Sequence, residues 1–167
     1  MAVVLLLCAG LNEFGPARAA GPTPTHTGWV TDLAGVLTPD ERSALTTTLA
    51  DYEAETTHQI VVLTVASLDG ESIEALSLRT ANAWKAGRKG VDNGILVVVA
   101  PADRKARIEL GRGFERYISN AQAGDIIDRQ MAPSFRRNEY GKGLDLGVRE
   151  LMRQGRQFRA PKQAWWR

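Results

Sequence analysis

Two nearly unbroken β-branched runs, Gln59 to Ala66 (QIVVLTVA) and Ile95 to Val99, stand on either side of a segment with helical period. Strands with no polar alternation must be covered on both faces, so they belong to a sheet held between helices. The stretch between them, Gly70 to Trp84, repeats Ile73, Leu76, Thr80 and Trp84 at helical spacing. A crossover of that length joins parallel strands, normally with a right-handed turn. Turn-formers bracket the second run, with Asp92-Asn93-Gly94 before it and Pro101-Ala102-Asp103 after it. The strand pattern from Ala106 to Leu110 follows so closely that it must return antiparallel, which makes the sheet mixed.

The remaining chain supplies the covering layers. Thr38-Pro39-Asp40-Glu41 reads as a capping box with Pro at the first helical position, opening a helix to about Glu55 that buries Leu45, Leu49 and Tyr52. Ser119 and Gln122 form a second box, with Ala123, Ile126, Ile127 and Met131 directed inward and Pro133 expected to end the helix. A last helix from Asn138 to about Gln154 carries Tyr140, Leu144, Val148 and Leu151 along one stripe. Its Gly141, Gly143 and Gly147 each cost about 1 kcal/mol against Ala, so close backbone packing is expected there. The fold class is α/β, a three-layer α/β/α sandwich with one central mixed sheet.

Residues 1–20 read as a secretory signal peptide: Met1 to Gly10 are apolar up to Cys8, and Ala17-Arg18-Ala19 sets cleavage near Ala19 or Ala20. The usual basic n-region is missing, and a buried N-terminal strand is the competing reading. Leu7 before Cys8 is too bulky for a lipoprotein cleavage site. Cys8 is the single cysteine and leaves with the leader, so neither disulfide nor thiol chemistry is expected. Residues 21–28, rich in Pro and Thr, read as a linker, with ordered structure beginning near Trp29. The net charge is only +2, yet from Arg153 onward there are five basic residues and no acid, interleaved with Phe158, Trp165 and Trp166. Such a tail, residues 153–167, suits a membrane surface or a membrane-associated protein complex; a frayed, solvated terminus is the alternative. No nucleic-acid module is visible. The expected product is exported, periplasmic or otherwise extracytoplasmic, soluble or peripheral at a membrane, and monomeric.

There is no G-x-S-x-G elbow, no Walker loop and no H-E-x-x-H, and the isolated His26 and His58 argue against zinc. What remains is oxygen chemistry. Asp32, Asp92, Asn93, Asp103 and Glu115 all fall at expected element ends, where side chains from separate segments can meet at a sheet edge. Carboxylates and amide carbonyls are hard ligands, suited to calcium or magnesium. Each has a plain structural alternative: Asp32 as a turn cap, Asp92-Asn93-Gly94 as a turn, and Glu115 paired with Arg112 or Arg116 in solvent. Arg104, in the turn between strands, is placed to meet an anion. Arg107 and Glu109 share a strand face that a sandwich covers, and are expected to pair there.

Several blocks, taken in order, resemble one family. They are Val30 to Thr38 (VTDLAGVLT), the QIVVLTV strand, Trp84 to Gly90 (WKAGRKG), Asp92 to Glu115 (DNGILVVVAPADRKARIELGRGFE), and ISNAQAGDIID through NEYGKGLDLGV. From about Trp29 to Met152 the chain is similar to the TPM domain, named for a plant thylakoid lumen protein, a photosystem II repair factor and a nematode receptor modulator. The resemblance implies an α/β/α sandwich outside the cytoplasm, an acidic groove holding divalent cations, and in some members acid phosphatase activity. Asp32 matches the aspartate of the V-x-D block, Asp92 and Asn93 the polar pair ahead of the N-G strand, Arg104 the arginine of D-R-K, and Glu115 the glutamate of G-x-G-x-E. Two departures stand out: Asp92 occupies a position where asparagine is common, and the basic Trp165-Trp166-Arg167 end stands where many bacterial relatives carry a membrane helix and Gly-rich tail.

Two functions follow as expectations. One is an envelope assembly or repair factor in which Asp32, Asp92, Asn93 and Glu115 hold calcium or magnesium, with weak phosphomonoesterase activity at most. The alternative is a metal-dependent acid phosphatase, with Asp92, Arg104 and Glu115 acting on a small phosphomonoester.

Overall fold

The computed structural model describes residues 21–115 and 117–157. The expected signal peptide, residues 1–20, and most of the aromatic tail, 158–167, lie outside the described residues, as does Arg116. Strands β1 (Val30–Asp32), β2 (Gln59–Thr64), β3 (Gly94–Ala100) and β4 (Lys105–Leu110) form one sheet in that spatial order. The first three run parallel, with Val30 opposite Val62 and Gln59 opposite Gly94, and β4 returns antiparallel with Ile95 opposite Leu110.

Helix α1 (Pro39–Thr56) joins β1 to β2, and α2 (Ile73–Trp84) joins β2 to β3. Both begin at hydroxyl caps: Thr38 with Glu41 forms a reciprocal box, and Ser72 accepts from the Ala75 amide. Strand alternation splits the core in two. Ile60, Val62, Ile95, Val97 and Val99 pack with Leu45, Leu49 and Tyr52 of α1, whereas Val61, Leu63, Leu96 and Val98 pack with Ile73 and Leu76 of α2. The two crossovers therefore step across the sheet in one direction but over opposite faces, which gives them opposite hands. For L-residues, a side chain toward the viewer on an ascending strand sends its own N–H and C=O to the right. Val65 donates to Val99 and faces α2, so β2–α2–β3 takes the usual right-handed course and β1–α1–β2 the rare left-handed one.

On the α1 face lie α3 (Asn120–Ile126), α4 (Ala132–Phe135) and α5 (Tyr140–Gly155). The helix opened by Ser119 and Gln122 does not end at Pro133. A π-helical turn, Ile127–Met131, widens it so that the Ala132 amide reaches Ile127 O. Pro133 then falls in the first turn of α4, directly after that widened turn. Asn138, at φ 60°, takes a left-handed turn position, so α5 starts two residues later than periodicity suggests. Its glycines do buy close approach. A methyl at Gly143 would overlap Phe135, and one at Gly147 would overlap Met131.

Two further departures from the sequence reading bear on function. Val30–Asp32, where the sequence shows no strand pattern, is an edge strand. Residues 21–28 form no regular element, yet they are not a free linker: Arg79 donates to Thr23 Oγ1, and Trp84 Nε1 donates to Pro24 O at 2.7 Å.

Candidate functional site

Strand direction decides which polar residues can meet. Asp32 ends β1 at the level of Thr64, while Asp92 and Asn93 immediately precede β3 at the level of Gln59. Five residue steps along the strand separate those levels, roughly 17 Å at about 3.3 Å each. The expected ligand set of Asp32, Asp92, Asn93 and Glu115 is therefore divided between opposite edges of the sheet. Arg104 is separated from Asp92 and Glu115 for the same reason: β3 carries the chain from one edge to the other before the turn that holds it.

At the carboxyl edge, Asp32 is committed to local structure. One carboxylate oxygen accepts from Thr64 Oγ1 and the Val36 amide, and the other from the Leu37 amide at 3.1 Å. It braces the 33–37 turn against β2. Asp103 accepts from the Leu68 amide at 2.8 Å and ties the β3–β4 turn to the loop after β2. Arg104 is exposed, at φ 53°.

At the amino edge the structure does bring residues together. Asp92, Glu109, Arg112 and Glu115 line one groove of ≈ 490 Å³ beside Leu78 and Asn82 of α2. Asp92 and Glu115 are exposed at its mouth. Glu109 lies deeper and pairs with Arg107 at 2.8 Å, the expected ion pair on the helix-covered strand face. Arg107 also reaches Glu74 of α2 at 3.8 Å. The backbone beneath is closely layered: a Cβ at Gly94 would overlap the Ala86 carbonyl, and one at Gly111 the Asp92 carbonyl. Asp92 itself, at φ 50°, sits in the left-handed region that Asp and Asn tolerate best among non-glycine residues.

Asn93 is the keystone under this groove rather than part of its wall. It is fully buried. Its amide nitrogen donates to Thr57 O at 2.7 Å, and its carbonyl oxygen accepts from the Arg88 amide at 2.8 Å. Gln59 adds a second brace by accepting from the Gly87 amide at 2.8 Å. Loop 85–94 is thus fixed to the end of α1 and the start of β2. Beside it lies a buried polar pair that the sequence did not mark: Tyr52 Oη sits 3.2 Å from His58 Nδ1, with Phe114 edge-on to the imidazole. Burial holds the His58 pKa below its ordinary value and raises that of Tyr52.

As a cation site, the amino-edge groove offers hard oxygen donors on two exposed carboxylates, with a third already paired. Among the described residues no three Asp, Glu, His or Cys side chains converge as a metal cage. Two carboxylates without a third converging donor do not make the ligand set of a dehydrated, fully protein-ligated calcium or magnesium ion.

A family model for the TPM domain matches residues 30–154. The chain belongs to the TPM domain family. None of the curated proteins matches it. Among solved structures, the N-terminal domain of a protein from P. gingivalis is 30% identical with a TM-score of 0.71, covering 77% of this chain and 82% of that one. The BA42 protein from the psychrophilic bacterium Bizionia argentinensis shares 20% identity at a TM-score of 0.62, covering 76% and 86% of the two chains. The N-terminal domain of the cg2496 protein from Corynebacterium glutamicum shares 18% at a TM-score of 0.60, covering 87% and 89%. The last two show the fold alone. For this TPM domain, membership covers the sheet, both crossovers and nearly all of α5.

Proposed function

We propose that this TPM-domain protein is an exported assembly or repair factor for a membrane-associated complex, and that its amino-edge groove binds calcium or magnesium weakly through Asp92 and Glu115. The observation that carries the reading is the shared groove: Asp92 and Glu115, far apart in sequence, line one opening over a rigid, glycine-layered floor. Two exposed carboxylates concentrate a cation without dehydrating it, which suits a site that stiffens a surface for a partner more than one that polarises a substrate. The separation of Arg104 from the groove weighs against the phosphatase alternative, because the residue expected to steady the phosphate stands at the other edge. Among the described residues Arg112 is the one guanidinium lining the groove and is the candidate for that role if hydrolysis occurs. Among the described residues no helix is long and apolar enough to cross a membrane. In this reading the basic, aromatic tail provides contact with a membrane surface.

The test is titration of the purified protein with calcium and with magnesium, followed by amide NMR shifts and thermal midpoint, alongside an Asp92→Asn plus Glu115→Gln variant. Saturable shifts confined to residues around the groove, and a raised midpoint lost in the variant, are expected. Cation binding that survives both substitutions sinks the assignment. Turnover of a phosphomonoester that chelator and the double substitution both abolish would favour the phosphatase reading instead.

A further inference from the structure

The segment ahead of β1 is seated on α2 in a way that resembles a bound peptide. Pro22 and Pro24 fix their own φ near −65° and push Gly21 and Thr23 toward extended conformations, so Gly-Pro-Thr-Pro is preformed as a polyproline-type strand. The Trp84 indole N–H donates to the Pro24 carbonyl at 2.7 Å, and the Arg79 guanidinium donates to Thr23 Oγ1 at 3.1 Å. His26 packs edge-on against Trp84 at 4.8 Å between ring centroids. Arg79 is itself held rigid by Glu71 through bonds of 2.9 and 2.8 Å, so the donor is aimed before any peptide arrives. An indole N–H to a proline-segment carbonyl, on an aromatic platform with a neighbouring polar donor, is how extended proline-rich peptides are captured.

The segment occupies this site incompletely. Among the described residues, a groove of ≈ 460 Å³ beside Gly21, Pro22 and Pro24 remains open toward Leu68, Leu76 and Arg79, a volume in the range of ligand sites. Glycine at position 21 offers no side chain to fill it.

We propose that the α2 face is a binding site for an extended, proline-containing peptide, occupied in the resting protein by the chain's own residues 22–27 and open to a partner segment that displaces them. The contacts go to a backbone carbonyl and a threonine hydroxyl, which any Pro-Thr-Pro-like segment offers. A partner with an apolar residue ahead of its first proline would also fill the groove beside Leu68 and Leu76. Tethering gives the chain's own segment a high effective concentration, so the site reads as closed until that segment is weakened.

The experiment uses the full chain carrying Pro22→Ala and Pro24→Gly, with the synthetic peptide Gly-Pro-Thr-Pro-Thr-His-Thr and a second peptide in which leucine replaces its glycine. The indole N–H resonance of Trp84 is followed by NMR, and the thermal midpoint checks that the fold persists. In the variant, the resonance is expected to lose its hydrogen-bonded position and to recover it saturably with either peptide. The leucine peptide is expected to bind about tenfold tighter, and Trp84→Phe in the same background to abolish saturation while keeping the midpoint. A Trp84 resonance unchanged by the proline substitutions, or no saturable response in a folded variant, overturns the proposal. Equal affinity of the two peptides would confine the site to the Trp84 end and overturn the part assigned to the open groove.

Discussion

Replacing Asn93 with alanine should unseat the amino-edge groove from below. The side chain makes two bonds to backbone atoms of segments far apart in sequence, one to Thr57 O at 2.7 Å and one from the Arg88 amide at 2.8 Å, at a fully buried position. Each lost bond is worth about 1 kcal/mol net, and the truncation also leaves buried backbone groups without partners, at about 1–3 kcal/mol apiece where water cannot reach them. With partial relaxation, a loss of about 3 kcal/mol follows, equivalent to a fall of roughly 10 °C in Tm for a domain of this size. Asp92→Asn is the matched control: it is exposed, it keeps a residue suited to positive φ, and it should move stability by less than about 0.5 kcal/mol. Urea unfolding followed by far-ultraviolet circular dichroism gives both values on one scale. An Asn93→Ala protein within about 1 kcal/mol of the parent would refute the bracing role, and a cation response lost at unchanged stability would make Asn93 a ligand after all.

Other consequences are independent of that brace. Gly143→Ala should destabilise by about 1–3 kcal/mol despite its better helix propensity, because the added methyl meets the Phe135 ring and the Met131 carbonyl; at Gly147→Ala the nearest atoms belong to the flexible Met131 side chain, so it should cost less, which chemical denaturation can rank. His58, buried with its pKa depressed, takes up its proton in the unfolded chain before the folded one does. Stability should therefore be full above the ordinary histidine range, near pH 6.5, and decline as pH falls through it; in His58→Gln the component of that slope due to His58 should vanish from melting curves recorded across the interval. Glu150 is held at a pKa of about 2, chiefly by its hydrogen bonds with Arg153 and Gln154. Its contribution is present above the ordinary carboxylate range and fades as pH drops toward 2, so Glu150→Gln should flatten the acid limb of the same curves.

The β-branched runs at Gln59 and Ile95 announced the central strands and their coverage on two faces, and hydroxyl-to-glutamate or -glutamine spacing located two helix starts. These signals are local, and local chemistry produces them. Strand β1 was hidden because three residues are too few to show a period; it exists through pairing with Val62, Leu63 and Thr64. The candidate site failed in a more instructive way. Asp32, Asp92 and Glu115 were each correctly placed at element ends, but which end faces which depends on strand polarity accumulated over the whole sheet. Residues 21–28 look alike in composition whether free or docked, since the donors that seat them, Arg79 and Trp84, lie on another element. Arg107 and Glu109 were legible because their pairing needs only alternation and a covered face.

The described chain enters on the α2 side of the sheet and leaves at the end of α5, where Arg156 stacks over Tyr52 on the other side. A domain strung between two anchors in this arrangement transmits tension through the thickness of the sheet. Pulling from the front end would first strip Pro24 from Trp84 and then peel β1, an edge strand three residues long, away from β2. Its short ladder would give way before the buried central strands. The loop after β1 is braced by Asp32 against Thr64, so the same pull would open the carboxyl edge while the amino-edge groove, clamped by Asn93 and Gln59, stayed whole. The domain is thereby divided into a mechanically yielding entrance and a stiff amino edge.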